Sequence, residues 1–530
     1  MQSFEKDGIW FLPETPDKER FGRIKFYPNQ PPKLDLVGEL KDLNLQEKFN
    51  KPQEFPIIHG YLIGNNGISE KITLYNCYQP ISLTTGIETN TIYADFILQG
   101  HHFISLDEFI TDEVIVSFYH LEEWINLPNL KIEGILSNLS ASTFQEIKII
   151  QNIMETLEIG TLLDCSINLI DIPTFEPHKL ALTNFLGLKA NQIYLIDRKK
   201  ILIKSKQFRN FKYYIKIIEL LQEFFTFASG NIIYPSSLES YILVPEERVV
   251  SIDLLKSLKS EKMIQTDIDS KISEPNNKKQ VIIQKMETPI KINIFYQTFD
   301  SLDRQNNNFQ QTKVLFYFNN IQEQSNIILK NWEINRDQLS SIIELYLRLI
   351  YLPLRHINDW FLTLAQSIEG FHRIDYEGRY CDEETFEKIK TKLKDTFLTE
   401  FKKYNIGQSY HKSLLNKINY WNEYSLKERL EDLFSNEDFY KCLPDNFFID
   451  SQEQEKFVKQ VRDTRGSLTH PDSNTSDKKI KKKNKHIVTG QDLEKIVYKL
   501  KIILEACLLK QLGLDSSQVK TILSQKYKFG

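Results

Sequence analysis

The chain is 530 residues long, enough for about three or four domains of ordinary size. Its 26% charged and 41% hydrophobic residues exclude a disordered polymer, and only 19 Gly and 18 Pro exclude a collagen-like or Pro/Gly-rich repeat. The net charge of −4 gives no reason to expect a polyanion partner, but it hides an asymmetry: residues 1–330 carry 34 basic against 41 acidic side chains (−7), residues 331–530 carry 33 against 30 (+3). A basic C-terminal part is a pointer to nucleic acid at that end.

From residue 8 to about 140 short alternating apolar runs are broken by turn residues. Gly8–Leu12, Gly22–Tyr27, Lys33–Leu40, Pro56–Ile63, Lys71–Cys77, Ile92–Leu98 and Val114–Tyr119 are predicted strands. Their spacing suits an antiparallel sandwich or barrel, and we read the region as sandwich-like. A helical insertion is predicted over Ser205–Ser229, where Phe208, Phe211, Ile215, Ile218, Leu221 and Phe225 recur at helical spacing before Gly230. Strand patterns return at Val281–Lys285, Lys291–Tyr296 and Lys313–Phe318, with polar loops at Ser270–Lys279 and Asp300–Gln311.

After about residue 331 the period becomes 3.6. Gln338–Leu352 and Ile357–Arg373 read as two helices, or one kinked at Pro353. Ser425-Leu-Lys-Glu428 is a capping box opening a helix through Phe434, and further helices span Gln454–Leu468 and Thr489–Leu512. The expected fold class is α+β multidomain, with a β-rich N-terminal region over 1–330 and an all-α bundle over 331–530. Five scattered cysteines offer no CxxC spacing, and the start has no signal-peptide pattern. Glu344, Arg348 and Pro353 interrupt the most apolar run. We expect a cytoplasmic protein with no membrane partner, no metal and no cofactor.

Phosphate loops, GxGxxG turns, HExxH helices and GxSxG elbows do not occur. One segment stands out: Val461-Arg-Asp-Thr-Arg465-Gly-Ser-Leu-Thr-His470-Pro-Asp. Arg465 borders an apolar stripe with Val458, Val461 and Leu468, so its guanidinium is partly desolvated and calls for an anionic partner. His470 precedes Pro471 and belongs at the helix end. In an unbroken helix the two would stand about 140° apart; they converge if the helix breaks before His470 or if two chains contribute. An Arg to hold a phosphate and a His to move protons is the minimum for cleaving a phosphodiester with its own 2′-hydroxyl. On spacing alone, a structural Arg and a helix-ending His are the commoner case.

Asp-Thr-Arg465-Gly-Ser-Leu-Thr-His470-Pro resembles the Arg-x4-His motif of HEPN-domain ribonucleases. Trp360-Phe-Leu-Thr-Leu-Ala-Gln-Ser-Ile-Glu369-Gly-Phe-His372-Arg373 is similar to the early helix of that domain in ApeA-type anti-phage proteins. The openings Gly8-Ile-Trp10-Phe-Leu-Pro13-Glu and Gly22-Arg-Ile-Lys-Phe26, with Phe118-Tyr-His-Leu-Glu-Glu-Trp124, resemble the N-terminal domain that accompanies it. The resemblance implies a metal-independent endoribonuclease of abortive-infection defence that cleaves RNA, with tRNA one candidate substrate. It implies a homodimer or dimer-based assembly through the HEPN domain, and a phage-derived trigger sensed by the N-terminal region. His470 would be the general acid/base and Arg465 the phosphate anchor. The position after the Arg, often a polar residue, is Gly466 here.

Glu369, His372 and Arg373 share a helix face. This reads either as support for the active cleft or as an ordinary surface pair of Glu369 with Arg373. Lys478, Lys479, Lys481, Lys482, Lys483 and Lys485 follow soon after His470 and read as phosphate-binding or as a solvated loop. Two classes of function stand: a HEPN ribonuclease, or a non-catalytic HEPN protein that binds RNA, nucleotide or a partner toxin.

Overall fold

Alternating apolar residues in the first half do form strands, and most of those strands join one sheet. A computed structural model describes residues 1–41, 52–64, 69–81, 89–126, 130–136, 144–151, 156–175, 195–251, 281–298, 308–352, 356–404, 408–469 and 486–527. The polar loop expected at Ser270–Lys279 and most of Asp300–Gln311 lie outside them. The described chain divides into two packed units: residues 1–122, 128–222 and 233–307 in the first, residues 123–127, 223–232 and 308–530 in the second.

The first unit begins with β1 (Phe4–Leu12), β2 (Thr15–Phe26), β3 (Lys33–Val37), β4 (Gln53–Ile63), β5 (Ser69–Gln79) and β6 (Thr89–Gln99). Then follow β7 (Ile110–Phe118), β8 (Leu130–Leu136), β9 (Phe144–Gln151), β10 (Leu157–Leu162), β11 (Cys165–Phe175), β12 (Leu195–Asn210), β13 (Pro235–Ser251) and β14 (Val281–Tyr296). Strands β8 and β9 pair with each other. The other twelve form one antiparallel sheet in the order β10-β11-β12-β7-β13-β14-β6-β3-β2-β1-β4-β5.

Because β5 also pairs with β6, the first six strands close into a barrel. Strand β6 is the seam: one edge meets β3 over Thr89–Tyr93 and β14 over Phe96–Gln99, while the other meets β5. Closure removes the free edges that a sandwich would keep. Trp10 fills the interior with no exposure, and its indole N–H donates to the Gly22 carbonyl at 3.2 Å. Glycines make that room. A Cβ at Gly60 would lie 2.5 Å from the indole ring, and one at Gly22 would lie 3.2 Å from it. His102, for which the sequence suggests no partner, stacks on His59 with centroids 4.5 Å apart. Burial pushes the His102 imidazole down to about 4.

Two sequence expectations need correction. The inserted helix is α2 (Phe211–Ser229), after a short α1 (Leu121–Ile125). Residues 205–210 instead finish β12, where Arg209 and Asn210 register with Thr111 and Ile110 of β7. Lys313–Phe318 forms no strand. The Leu315 and Phe316 amides both donate to the Ala228 carbonyl, at 2.9 and 3.1 Å, and Val314, Leu315 and Phe316 are buried against that helix end.

The second unit is helical: α3 (Ser325–Gln338), α4 (Ser340–Tyr351), α5 (Ile357–Asp375), α6 (Glu383–Lys403), α7 (Gln408–Ile418), α8 (Leu426–Ser435), α9 (Glu437–Tyr440), α10 (Ser451–Thr469), α11 (Gly490–Gln511) and α12 (Ser516–Lys526). The capping box read at Ser425 and Glu428 opens α8. Helix α11 buries side chains on every side and packs on α5 and α12. Its one buried acid, Glu505, accepts from the Tyr346 and Tyr527 hydroxyls at 2.7 Å each and from Lys526 at 3.1 Å. The early pieces of this unit pack with the late ones. Trp332 of α3 lies against Phe224 and Phe227, and the Trp124 indole donates to the Phe316 carbonyl at 2.8 Å.

Candidate functional site

Helix α10 buries Phe457, Val458, Val461 and Thr464, which leaves Arg465 at the border of its apolar stripe. Its Nη2 donates to Oε2 of Glu369 on α5 at 2.6 Å, with the two side chains 39% and 17% exposed. This carboxylate is the anionic partner that a half-buried guanidinium needs. Among the described residues nothing engages Nη1 or Nε of Arg465.

The neighbouring turns are held by side-chain hydroxyls. Thr464, 1% exposed, accepts from the Val488 amide at 3.2 Å, so the chain that returns into α11 is pinned beside Arg465. Thr469 donates to the Arg465 carbonyl at 2.8 Å and is the last residue of α10. His470 and Lys478, Lys479, Lys481, Lys482, Lys483 and Lys485 lie outside the described residues. A Cβ at Gly466 would meet nothing within 4 Å.

The structure separates the three residues that the sequence puts on one face of α5. Glu369 reaches Arg465, not Arg373, so the surface pair within α5 does not form. Arg373 donates to Glu423 at 3.0 Å. His372 turns inward with no exposure: Nε2 meets Asp432 at 2.8 Å and Nδ1 meets Arg429 at 3.1 Å. Tyr376 stacks on its ring at 5.0 Å and 17°. Burial holds the His372 imidazole below its usual range; the Asp432 contact opposes this and the Arg429 charge reinforces it.

Arg429 is the residue that the sequence reading passes over. It is fully buried; Nη2 reaches Glu423 at 3.4 Å, and among the described residues Nε has no partner. Burial lowers its pKa, with Arg373 adding repulsion and Glu423 and Glu369 opposing both. A signal was present. Arg429 falls between Leu426, Leu430 and Leu433 at helical spacing, the same pattern that singles out Arg465. Gly378 makes the close approach possible. Its φ is +62°, and a Cβ there would lie 2.7 Å from Arg429 Nη1 and 2.8 Å from the His372 ring.

The result is two linked layers. A buried Asp432–His372–Arg429–Glu423 chain lies beneath, and a part-exposed Glu369–Arg465 pair lies at the border of the bundle. Among the described residues no cluster of His, Cys, Asp or Glu is arranged to hold a metal ion, and no helix is long and apolar enough to cross a membrane. A guanidinium fixed on one edge by a carboxylate can offer its other nitrogens to an anion such as a phosphate.

A strand-rich N-terminal region followed by a helical bundle carrying this pair matches two family descriptions, ApeA N-terminal domain 1 over residues 5–332 and Apea-like HEPN over residues 362–518. It is an anti-phage protein of HEPN type. The chain belongs to the ApeA family. Neither the curated proteins nor the solved structures give a match.

The buried His372 has a consequence for pH. Its folded pKa lies below the ordinary value of about 6.5. Below that value the unfolded chain takes up a proton that the folded chain resists, so stability falls as pH falls. Thermal melts of the full chain from about pH 7.5 down to about pH 5.5 should lose stability more steeply than those of His372→Gln. Equal slopes would remove His372 as the source.

Proposed function

We propose that this protein is a metal-independent endoribonuclease of anti-phage defence, acting through Arg465 and His470. The observation that carries the reading is the Arg465–Glu369 pair, in which a 2.6 Å bond orients a part-exposed guanidinium five residues before His470 in the sequence. In this mechanism His470 takes the proton of the ribose 2′-hydroxyl, and the 2′-oxygen attacks the adjacent phosphorus. The P–O5′ bond breaks, a protonated imidazole returns a proton to the leaving oxygen, and a 2′,3′-cyclic phosphate remains. Arg465 holds the non-bridging oxygens as charge builds on them, and Glu369 keeps the guanidinium aimed. Glu369, His372 and Arg373 act as support, with His372 working from beneath through its packing.

The RNA substrate is unassigned beyond its class, with tRNA one candidate, and the N-terminal region is the place for a phage-derived trigger. Arg465→Ala and His470→Ala should each lower RNA cleavage by at least about 100-fold with the fold intact, and Glu369→Gln should lower it less. Products should carry 2′,3′-cyclic or 3′-phosphate ends, and EDTA should not inhibit. Cleavage retained in either alanine variant would sink the assignment. Gly466 supplies no polar side chain after the Arg and leaves open the alternative, a non-catalytic HEPN protein binding RNA, nucleotide or a partner toxin. The same assay decides between them.

The lysines from Lys478 to Lys485 follow His470 closely enough to track substrate phosphates. Changing all six to Ser should weaken RNA binding and flatten its salt dependence, because fewer counterions are released. An unchanged slope would make the run a solvated loop.

One chain supplies one Arg465/His470 pair, and we propose that two pairs meet across a twofold axis in the helical region. Light scattering should then give at least twice 62.5 kDa. Mixing Arg465→Ala with His470→Ala protein should restore part of the activity. A fully active monomer would end the composite site.

A further inference from the structure

Helices α6 and α7 pack together as a hairpin, and their composition differs from that of the bundle. Over α6 and α7, residues 383–418, eight lysines stand against five acids (Glu383, Glu384, Glu387, Asp395 and Glu400), a net +3 in a chain whose total is −4. Lys388, Lys390 and Lys403 pair with Glu384, Glu387 and Glu400. Lys392, Lys394, Lys402, Lys412 and Lys417 have no acidic partner among the described residues.

Aromatic rings stand in water among these charges. Tyr404, Tyr420 and Trp421 are 67%, 69% and 51% exposed, whereas Trp10, Trp124 and Trp332 are buried. Trp421 is braced rather than loose. Its ring meets Phe397 edge-on at 6.3 Å, and Phe397 stacks on Phe401 at 5.6 Å and 14°. A braced, exposed ring and lysines without acidic partners on the two helices that lead to it are the two elements that hold a nucleic-acid strand, bases on rings and phosphates on cations.

The base of the hairpin is tied to the candidate site. Tyr380 donates its amide to Asn422 at 3.1 Å, and Tyr424 donates to Gly378 at 2.8 Å. Glu423, two residues beyond Trp421, accepts from Arg373 of α5 and from the buried Arg429. Helix α5 thus carries Glu369 for Arg465 and also anchors the foot of the hairpin.

We propose that the α6–α7 hairpin with Tyr420 and Trp421 is a second RNA-binding surface, one that stacks single-stranded bases and delivers the strand toward Arg465. Delivery to Arg465 rests on the nuclease reading; binding by the hairpin does not. An acidic peptide would satisfy the charge but leave the rings unused. A lipid surface would need a continuous apolar face, which Lys392, Asp395 and Lys402 interrupt.

The test uses full-length His470→Ala protein and a labelled single-stranded 2′-O-methyl RNA of about 20 nucleotides, which offers no 2′-hydroxyl for cleavage. Tyr420→Ala/Trp421→Ala should weaken binding about tenfold or more, and Trp421→Tyr should keep most of it. Lys392/Lys394/Lys412/Lys417→Ser should weaken it too and, unlike the ring variants, lower the salt slope. RNA should quench tryptophan fluorescence, and Trp421→Ala should abolish that quenching.

Unchanged affinity in both variants overturns the proposal, as does competition by polyglutamate or anionic vesicles as strong as that by RNA. Loss of oligomer mass in the ring variants, with RNA affinity per chain unaltered, also overturns it in favour of a contact between copies. The two readings fail separately. If Arg465→Ala still cuts RNA while the hairpin variants bind it weakly, the active-site assignment falls and the hairpin stands. If Arg465→Ala is inactive and the hairpin variants bind normally, the reverse holds.

Discussion

A guanidinium kept from water has to be answered by groups drawn from elsewhere in the chain, and Arg429 imposes that demand on the helical unit. An uncompensated buried ion costs several kcal/mol. Arg429 meets it with a His372 nitrogen, the Glu423 carboxylate and the Glu377 carbonyl. Each contact fixes a different segment: helix α5, the return from the α6–α7 hairpin, and the turn at Gly378. With α5 seated in this way, Glu369 stands opposite Arg465. The part-exposed pair is therefore as well placed as the buried chain below it.

Burial grades the charged residues of this region by task. His372 and Arg429 have no exposure and organise; Glu369 and Arg465 are partly exposed and can meet an anion; Arg462, about half exposed, pairs with its neighbour Asp463. A second buried ion, Glu505, performs a similar organising role far along the chain, tying Tyr346 to Tyr527 and Lys526. Burial brings the Lys526 amine down to about 8, against the pull of Glu505.

Much of this was legible in the sequence. Period two gave the first seven strands nearly in place, and the change to period 3.6 separated the strand-rich region from the helical one. Two kinds of feature were not legible. Lys313–Phe318 has the apolar composition of a strand, but its amides are claimed by the end of α2, a contact no local pattern encodes. Strand β12 carries charges along its length, and its identity comes from pairing with β11 on one side and β7 on the other. At the candidate site, Arg465 stood out because its motif was familiar, and Arg429, in the same kind of apolar stripe, did not. Which partner Glu369 would choose, four residues along its own helix or across to α10, depended on packing and not on spacing.

The aromatic seam formed by Trp332, Phe224 and Phe227, with the Trp124–Phe316 bond beside it, bears on what a cut in the chain would leave behind. The helical unit takes residues 123–127 and 223–232 from within the strand-rich half of the chain. A protease cutting near residue 330 would not free a finished helical fragment. It would produce one lacking Phe224 and Phe227, with Trp332 and Tyr346 stripped of ring neighbours that now exclude water. The helical unit thus keeps its packing only in the unbroken polypeptide.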